Sequence, residues 1–168
     1  MCMFGVCISS NSNNFYNFYG NCFMKKILLS ICMATNMFVQ SETYEVKMLN
    51  QGTEGYMVFE PAVLKILPGD SVTFVATDAA HNSASIVGMI PEGAKSWNGQ
   101  LSKDITVTFD LEGIYAYQCT PHAMMTMVGI IEVGTNKNNL EKIKSIASKT
   151  KSVFVMNQDR LDTYISSL

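Results

Sequence analysis

The segment Cys119-Thr120-Pro121-His122 stands between two runs of strand character, Ile114-Tyr115-Ala116-Tyr117-Gln118 before it and Val128-Gly129-Ile130-Ile131-Glu132-Val133 after it. Residues 120–126 are therefore read as a loop held at both ends by strands. The same grammar recurs upstream. Tyr44-Glu45-Val46-Lys47-Met48-Leu49 alternates and meets a turn signal at Asn50-Gln51-Gly52. Val63-Leu64-Lys65-Ile66-Leu67 runs into Pro68-Gly69-Asp70, and Ser71-Val72-Thr73-Phe74-Val75-Ala76 alternates again, which predicts a hairpin. Ile105-Thr106-Val107-Thr108-Phe109 alternates before a turn at Leu111-Glu112-Gly113. Short strands divided by Gly- and Pro-bearing turns predict an all-β sandwich over residues 42–136, with antiparallel Greek-key pairing.

After Gly134 the period changes. Leu140, Ile143, Ile146 and Ala147 recur at helical spacing, and Phe154, Leu161, Tyr164 and Ile165 predict a second helix beyond a polar linker at Ser148-Lys149-Thr150-Lys151. Residues 137–168 are expected to form two C-terminal α-helices packed on one sheet.

Cysteine usage divides the chain. Cys2, Cys7, Cys22 and Cys32 fall in the first forty residues, and Cys119 stands alone in the remainder. Met24-Lys25-Lys26 followed by Ile27-Leu28-Leu29-Ser30-Ile31-Cys32-Met33-Ala34 has the basic start and short apolar core of a secretory signal, with Val39-Gln40-Ser41 at the cleavage position. The apolar run is too short to span a bilayer. Residues 24–41 are read as a signal peptide for export to the periplasm. Residues 1–23, rich in Asn and aromatics without a period, are read as the product of a start codon placed too early. The exported chain then has one cysteine, no disulfide framework and no membrane anchor.

From Glu42 onward 10 basic residues stand against 14 acidic ones. Residues 42–136 carry four lysines and eleven acids, whereas 137–168 carry six basic residues and three acids. An acidic body of this kind argues against nucleic acid as a partner.

The chain has only two histidines, His81 and His122. A lone buried cysteine is ordinarily a small hydrophobe, and methionines ordinarily fill core gaps. Their combination beside one of two histidines, with Pro121 stiffening the gap, argues instead for a metal. One thiolate (Cys119), two imidazoles (His81, His122) and a thioether (Met127, where the chain re-enters the sheet) match a trigonal His2Cys copper site with a weak axial methionine. Zinc also uses Cys and His, but its structural sites take four strong ligands and a thioether serves it poorly. Asp78, three residues before His81, is a conceivable fourth ligand that reads more simply as a solvated acid.

Met57-Val58-Phe59-Glu60-Pro61, Pro68-Gly69-Asp70-Ser71-Val72-Thr73-Phe74, His81-Asn82, Met89-Ile90-Pro91-Glu92-Gly93-Ala94 and Cys119-Thr120-Pro121-His122 together resemble the pseudoazurins, small blue copper proteins of the cupredoxin superfamily. The likeness runs from about residue 44 to 166. It implies an eight-stranded sandwich with two C-terminal helices, and copper ligands His81, Cys119, His122 and Met127. It further implies that Asn82 ties the loop of the first histidine to Cys119-Thr120, that Met57 lies near the exposed histidine, and that His122 is the ligand at the solvent edge. Two features depart from the family. Thr126 precedes Met127 where glycine is common, and Gln51, Ala79 and Gln118 occupy places where lysines commonly ring the docking face.

The single ligand set implies a one-electron carrier with one copper ion, expected to be a monomer, and the resemblance implies transient redox partners such as a copper nitrite reductase or a cytochrome. A copper enzyme would need further centres built from several more histidines than this chain has. The alternative is a periplasmic copper chaperone or store without redox cycling, for which Met124, Met125 and Met127 would supply a methionine cluster. Since rim charge mainly steers encounter, the missing lysines weaken any transfer of the family's acidic partner to this chain.

Overall fold

Period-two burial shapes the first sheet. In β1 (Thr43–Gly52) Val46 and Met48 are buried while Glu45 and Lys47 face solvent, and in β4 (Ser71–Val75) Val72 and Phe74 are buried. The computed structural model describes residues 40–168; the leader read over 1–41 lies, but for its last two residues, outside the described residues. With β2 (Gly55–Glu60) and β6 (Ile105–Thr108) these strands form a sheet in the order β2-β1-β4-β6. The second sheet contains β3 (Val63–Ile66), β5 (Ala84–Ser85), β7 (Gly113–Gln118) and β8 (Val128–Val133) in the order β3-β8-β7-β5. The expected all-β sandwich is the observed fold, followed by α1 (Leu140–Thr150) and α2 (Arg160–Ser166).

Several local expectations are corrected. β3 and β4 do not form a hairpin: β3 pairs in parallel with β8 and β4 in parallel with β1, so Pro68-Gly69-Asp70 carries the chain from one sheet to the other. Buried Asp70 secures that crossing. One carboxylate oxygen accepts from Leu67 N–H across the turn (2.8 Å) and the other from Glu42 N–H just before β1 (2.8 Å). Antiparallel pairing joins β1 with β2, β4 with β6, β5 with β7 and β7 with β8, but does not hold throughout. β1 also outlasts its predicted end, because Gln51 pairs with Tyr56 and Gly52 with Gly55, leaving the reversal to Thr53-Glu54. Near the C-terminus, α1 continues through the supposed linker to Thr150 and a 3-10 turn, Lys151–Val153, follows. Phe154 has extended backbone rather than helical, yet its ring is buried with the helices' apolar residues, which gives it the look of a helix face.

The second sheet is covered on both faces. Tyr115, Tyr117 and Cys119 face the first sheet, in a core with Phe59, Phe74, Phe109 and Met127. Ile114, Ala116, Val128 and Ile130 pack with Ile143, Ala147, Leu161 and Ile165 of the helices. Burial on both sides explains why β7 and β8 read as nearly continuous apolar runs. The Tyr117 ring meets Phe59 at 4.8 Å and Phe74 at 4.9 Å, edge to face. It also dictates Gly129, where a Cβ would lie 2.3 Å from the tyrosine ring.

One acid interrupts β8. Glu132 is buried opposite Lys65 of β3, with one carboxylate oxygen 2.9 Å from Lys65 Nζ and the other 3.0 Å from Lys137 Nζ. Burial alone would push this carboxyl up, but the hydrogen bonds from two ammonium groups outweigh it and hold it below the ordinary carboxylate value. A lowered native pKa contributes stability in full above the unfolded-chain value of 4.5, and that contribution is lost as pH falls through the native value. Glu132→Gln is therefore expected to be less stable than the parent at neutral pH and to converge with it in acid. Urea unfolding across the acid range checks this, and a constant gap between the two proteins would contradict it.

Candidate metal centre

Two loops at one end of the sandwich converge. The first carries His81, whose backbone is pinned where Ser102 N–H donates to His81 O (2.8 Å) and Ala80 N–H donates to Ser102 Oγ (2.8 Å). The second begins where β7 stops: Cys119 N–H donates to Met127 O (2.9 Å), closing the loop that contains His122. Within it, Met127 N–H and Met125 N–H both donate to His122 O, at 3.3 and 3.0 Å, and Ala123–Met125 form a 3-10 turn.

Three donor atoms face one another across this junction. Cys119 Sγ lies 3.6 Å from His81 Nδ1 and 3.3 Å from His122 Nδ1, and the two Nδ1 atoms are 3.1 Å apart. The point equidistant from all three is about 2 Å from each, near the metal–nitrogen distance of about 2.0–2.1 Å and a little inside the metal–sulfur distance of about 2.3 Å. His81 and Cys119 are fully buried and His122 is partly exposed. His81 Nε2 lies 3.0 Å from Asn50 Oδ1, which can only accept, so Nε2 carries the proton and Nδ1 presents its lone pair. Burial, then the proximity of His122, lowers the His81 pKa against the opposing pull of Asp78, favouring the neutral imidazole that a metal needs. Burial pushes the Cys119 thiol up, while hydrogen bonds from the backbone amides of Asn82 and His122 pull it back. A soft sulfur with two convergent nitrogens fits copper.

Asn82 braces the junction. Its Oδ1 accepts from Thr120 N–H (2.8 Å), and its Nδ2 donates to Thr120 Oγ1 (3.2 Å), Asn98 Oδ1 (3.2 Å) and Gly99 O (3.1 Å). Two loops separated by 38 residues are thereby held in register by one side chain.

Known proteins share this architecture. Residues 46–134 match the model of the copper-binding plastocyanin/azurin family. The chain is 39% identical over 140 residues to the pseudoazurin of Methylorubrum extorquens, covering 83% of this chain and 91% of that protein. It is 46% identical over 112 residues to a putative pseudoazurin of Rhizobium leguminosarum bv. viciae, covering 67% of this chain and 74% of that one. The crystal structure of pseudoazurin from Methylobacterium extorquens AM1 superposes with a TM-score of 0.66 at 41% identity, over 74% of this chain and 98% of that chain. The chain belongs to the pseudoazurins. As a pseudoazurin it is a blue copper electron carrier with one copper ion as its cofactor.

The remaining residues singled out from the sequence fall into distinct settings in this pseudoazurin. Met127 is wholly buried in the core beside Cys119, and Pro121 is exposed at the loop's outer side. Met57 lies in β2 with a left-handed backbone (φ 52°), its side chain packed against the same core. Asp78 is not part of the donor cluster among the described residues; it accepts from Asn50 N–H (2.7 Å). Asn50 itself escaped notice in the sequence because it sits in an apparent turn signal. Asn82→Ala removes the brace between the loops and is expected to weaken copper binding about 10- to 100-fold. Competition against a chelator measures this, and unchanged affinity would mean the loops hold their register without it.

Proposed function

We propose that His81, Cys119, His122 and Met127 are the copper ligands, with Met127 the weak axial one, and that the exported chain, starting near Glu42, shuttles single electrons in the periplasm. The observation that carries this reading is the triangle of Cys119 Sγ, His81 Nδ1 and His122 Nδ1, with sides of 3.6, 3.3 and 3.1 Å. When bound, copper supplies a couple between Cu(I) and Cu(II). The protein's share is positional. Cys119 and His81 shut out water, Asn50 and Asn82 fix ring and loop so that neither rearranges when charge changes, and His122 alone reaches the surface to pass the electron. Among the described residues no helix is long and apolar enough to cross a membrane.

Met57, Ala79, Ala80, Pro121 and Met125 offer a mostly apolar docking face, with Pro121, Ala79 and Ala80 exposed. Gln51 and Gln118 stand where family members carry lysine, so a redox partner, whether a cytochrome or a copper nitrite reductase, is met with little electrostatic steering. A chaperone or store is disfavoured, because Met124 is 58% exposed while Met127 is wholly buried, so the methionines do not form one open cluster.

Cys119→Ser is expected to abolish the intense visible thiolate-to-copper absorption while leaving the sheet circular dichroism unchanged; a variant that stays blue or green refutes the assignment. Met127→Leu is expected to retain copper and raise the reduction potential, measured by voltammetry. An unchanged potential would remove Met127 from the axial position.

A further inference from the structure

Arg160, the chain's single arginine, begins α2 and is half-buried. All of its observed hydrogen bonds go to backbone carbonyls. Nη1 donates to Met57 O and to Thr126 O, both at 2.9 Å, and Nη2 donates to Tyr56 O (3.2 Å) and Glu54 O (3.3 Å). Among the described residues no carboxylate pairs with it in a salt bridge. A guanidinium so used is a planar fork that sets backbone geometry, which a lysine cannot copy.

The two carbonyls on Nη1 belong to unusual residues. Met57 has φ 52° and Thr126 has φ 56°, left-handed values that side chains with a Cβ rarely adopt and that a β-branched residue adopts least readily. Such torsions are strained and persist only where their surroundings fix them. Thr126 is fixed three ways. Its hydroxyl donates to Met156 O (2.6 Å), its N–H donates to Ala123 O (3.0 Å), and its carbonyl takes the arginine. The neighbouring Val155 N–H donates to Met124 O (2.8 Å), so the C-terminal segment grips the ligand loop at two further points.

That peptide carbonyl is the one joining Thr126 to Met127. We infer that Arg160 is a positioning residue of the copper centre, holding the Thr126–Met127 peptide in its left-handed approach and so setting how the Met127 thioether meets the metal. This rests on Met127 being the axial ligand. It also explains how a β-branched threonine holds this angle: the arginine and the Met156 carbonyl supply the restraint that the side chain's own preference opposes.

The test compares full-length protein with Arg160→Gln, Arg160→Lys, Met127→Leu and the double variant Arg160→Gln/Thr126→Gly. In copper-loaded samples the readouts are the intensity ratio of the thiolate charge-transfer bands, the rhombicity of the electron paramagnetic resonance spectrum and the reduction potential. In metal-free samples the readout is amide exchange at Thr126 and Met127. Arg160→Gln is expected to move all three copper readouts toward those of Met127→Leu, and to speed the two loop amides at least tenfold with Ile130 and Val72 unchanged. Arg160→Lys should restore the parent values only in part, and Thr126→Gly should shrink the Arg160→Gln effect because glycine takes the left-handed angle freely. If Met127→Leu shifts the copper readouts and neither arginine variant does, the positioning role is overturned and the axial assignment stands. If Met127→Leu shifts nothing, the axial assignment fails and takes this role with it. Should Arg160→Gln not fold, the Arg160→Lys spectra and loop exchange decide the matter, parent-like values overturning the role.

Discussion

The bond from Cys119 N–H to Met127 O, 2.9 Å long, is the constraint on which the centre depends. It extends the β7–β8 ladder one rung past Gln118 and Val128 and forces residues 120–126 into a closed loop. With the loop's ends fixed by a sheet buried on both faces, Cys119 and Met127 are both held in the core. Of the three donors only His122 reaches outward. Enclosure of the sulfur, contact of one imidazole with solvent and rigidity at the junction are thus three results of one pairing.

Much of this was legible in the sequence, for a definite reason. β7, β8 and β4 announce themselves because apolar and β-branched residues are what a buried strand requires, and the pairing of Cys119 with one of two histidines is too specific for a core filler. What stayed hidden depends on which strands lie side by side. Val63–Ile66 and Ser71–Val75 look like hairpin partners, yet they pair in different sheets, a crossing that Asp70 holds by accepting from Leu67 and Glu42 N–H. Asn50 looks like a turn residue, yet its side chain meets His81 across 31 positions. The same limit hid Arg160: no local pattern indicates that a helix's first residue ends on four carbonyls of two distant segments.

The centre also shows how a chain divides strain from strength. The donor atoms hang from well-packed strands or from loops stitched by Asn82 and Ser102, whereas left-handed backbone at non-glycine positions, among the described residues, falls at Met57, Ala80, Ser102, Thr126 and Asn157. Ala80 and Ser102 bond each other beside His81, and Thr126 is bonded beside Met127. Two of these unfavourable torsions, at Ala80 and Thr126, therefore sit immediately next to His81 and Met127, where hydrogen bonds over-determine the conformation.

The links that complete the centre span great lengths of chain. Arg160 meets Met57 across 103 residues, and Tyr164 donates to Glu54 across 110. Loop-closure entropy must be met before such contacts give any return, so they form late and together. A chain still emerging from a ribosome has His81, Cys119 and His122 before it has the helix whose Arg160 donates to Thr126 O. The carbonyl of Thr126, next to Met127, thus gains its guanidinium partner only once residue 160 has been made and folded back.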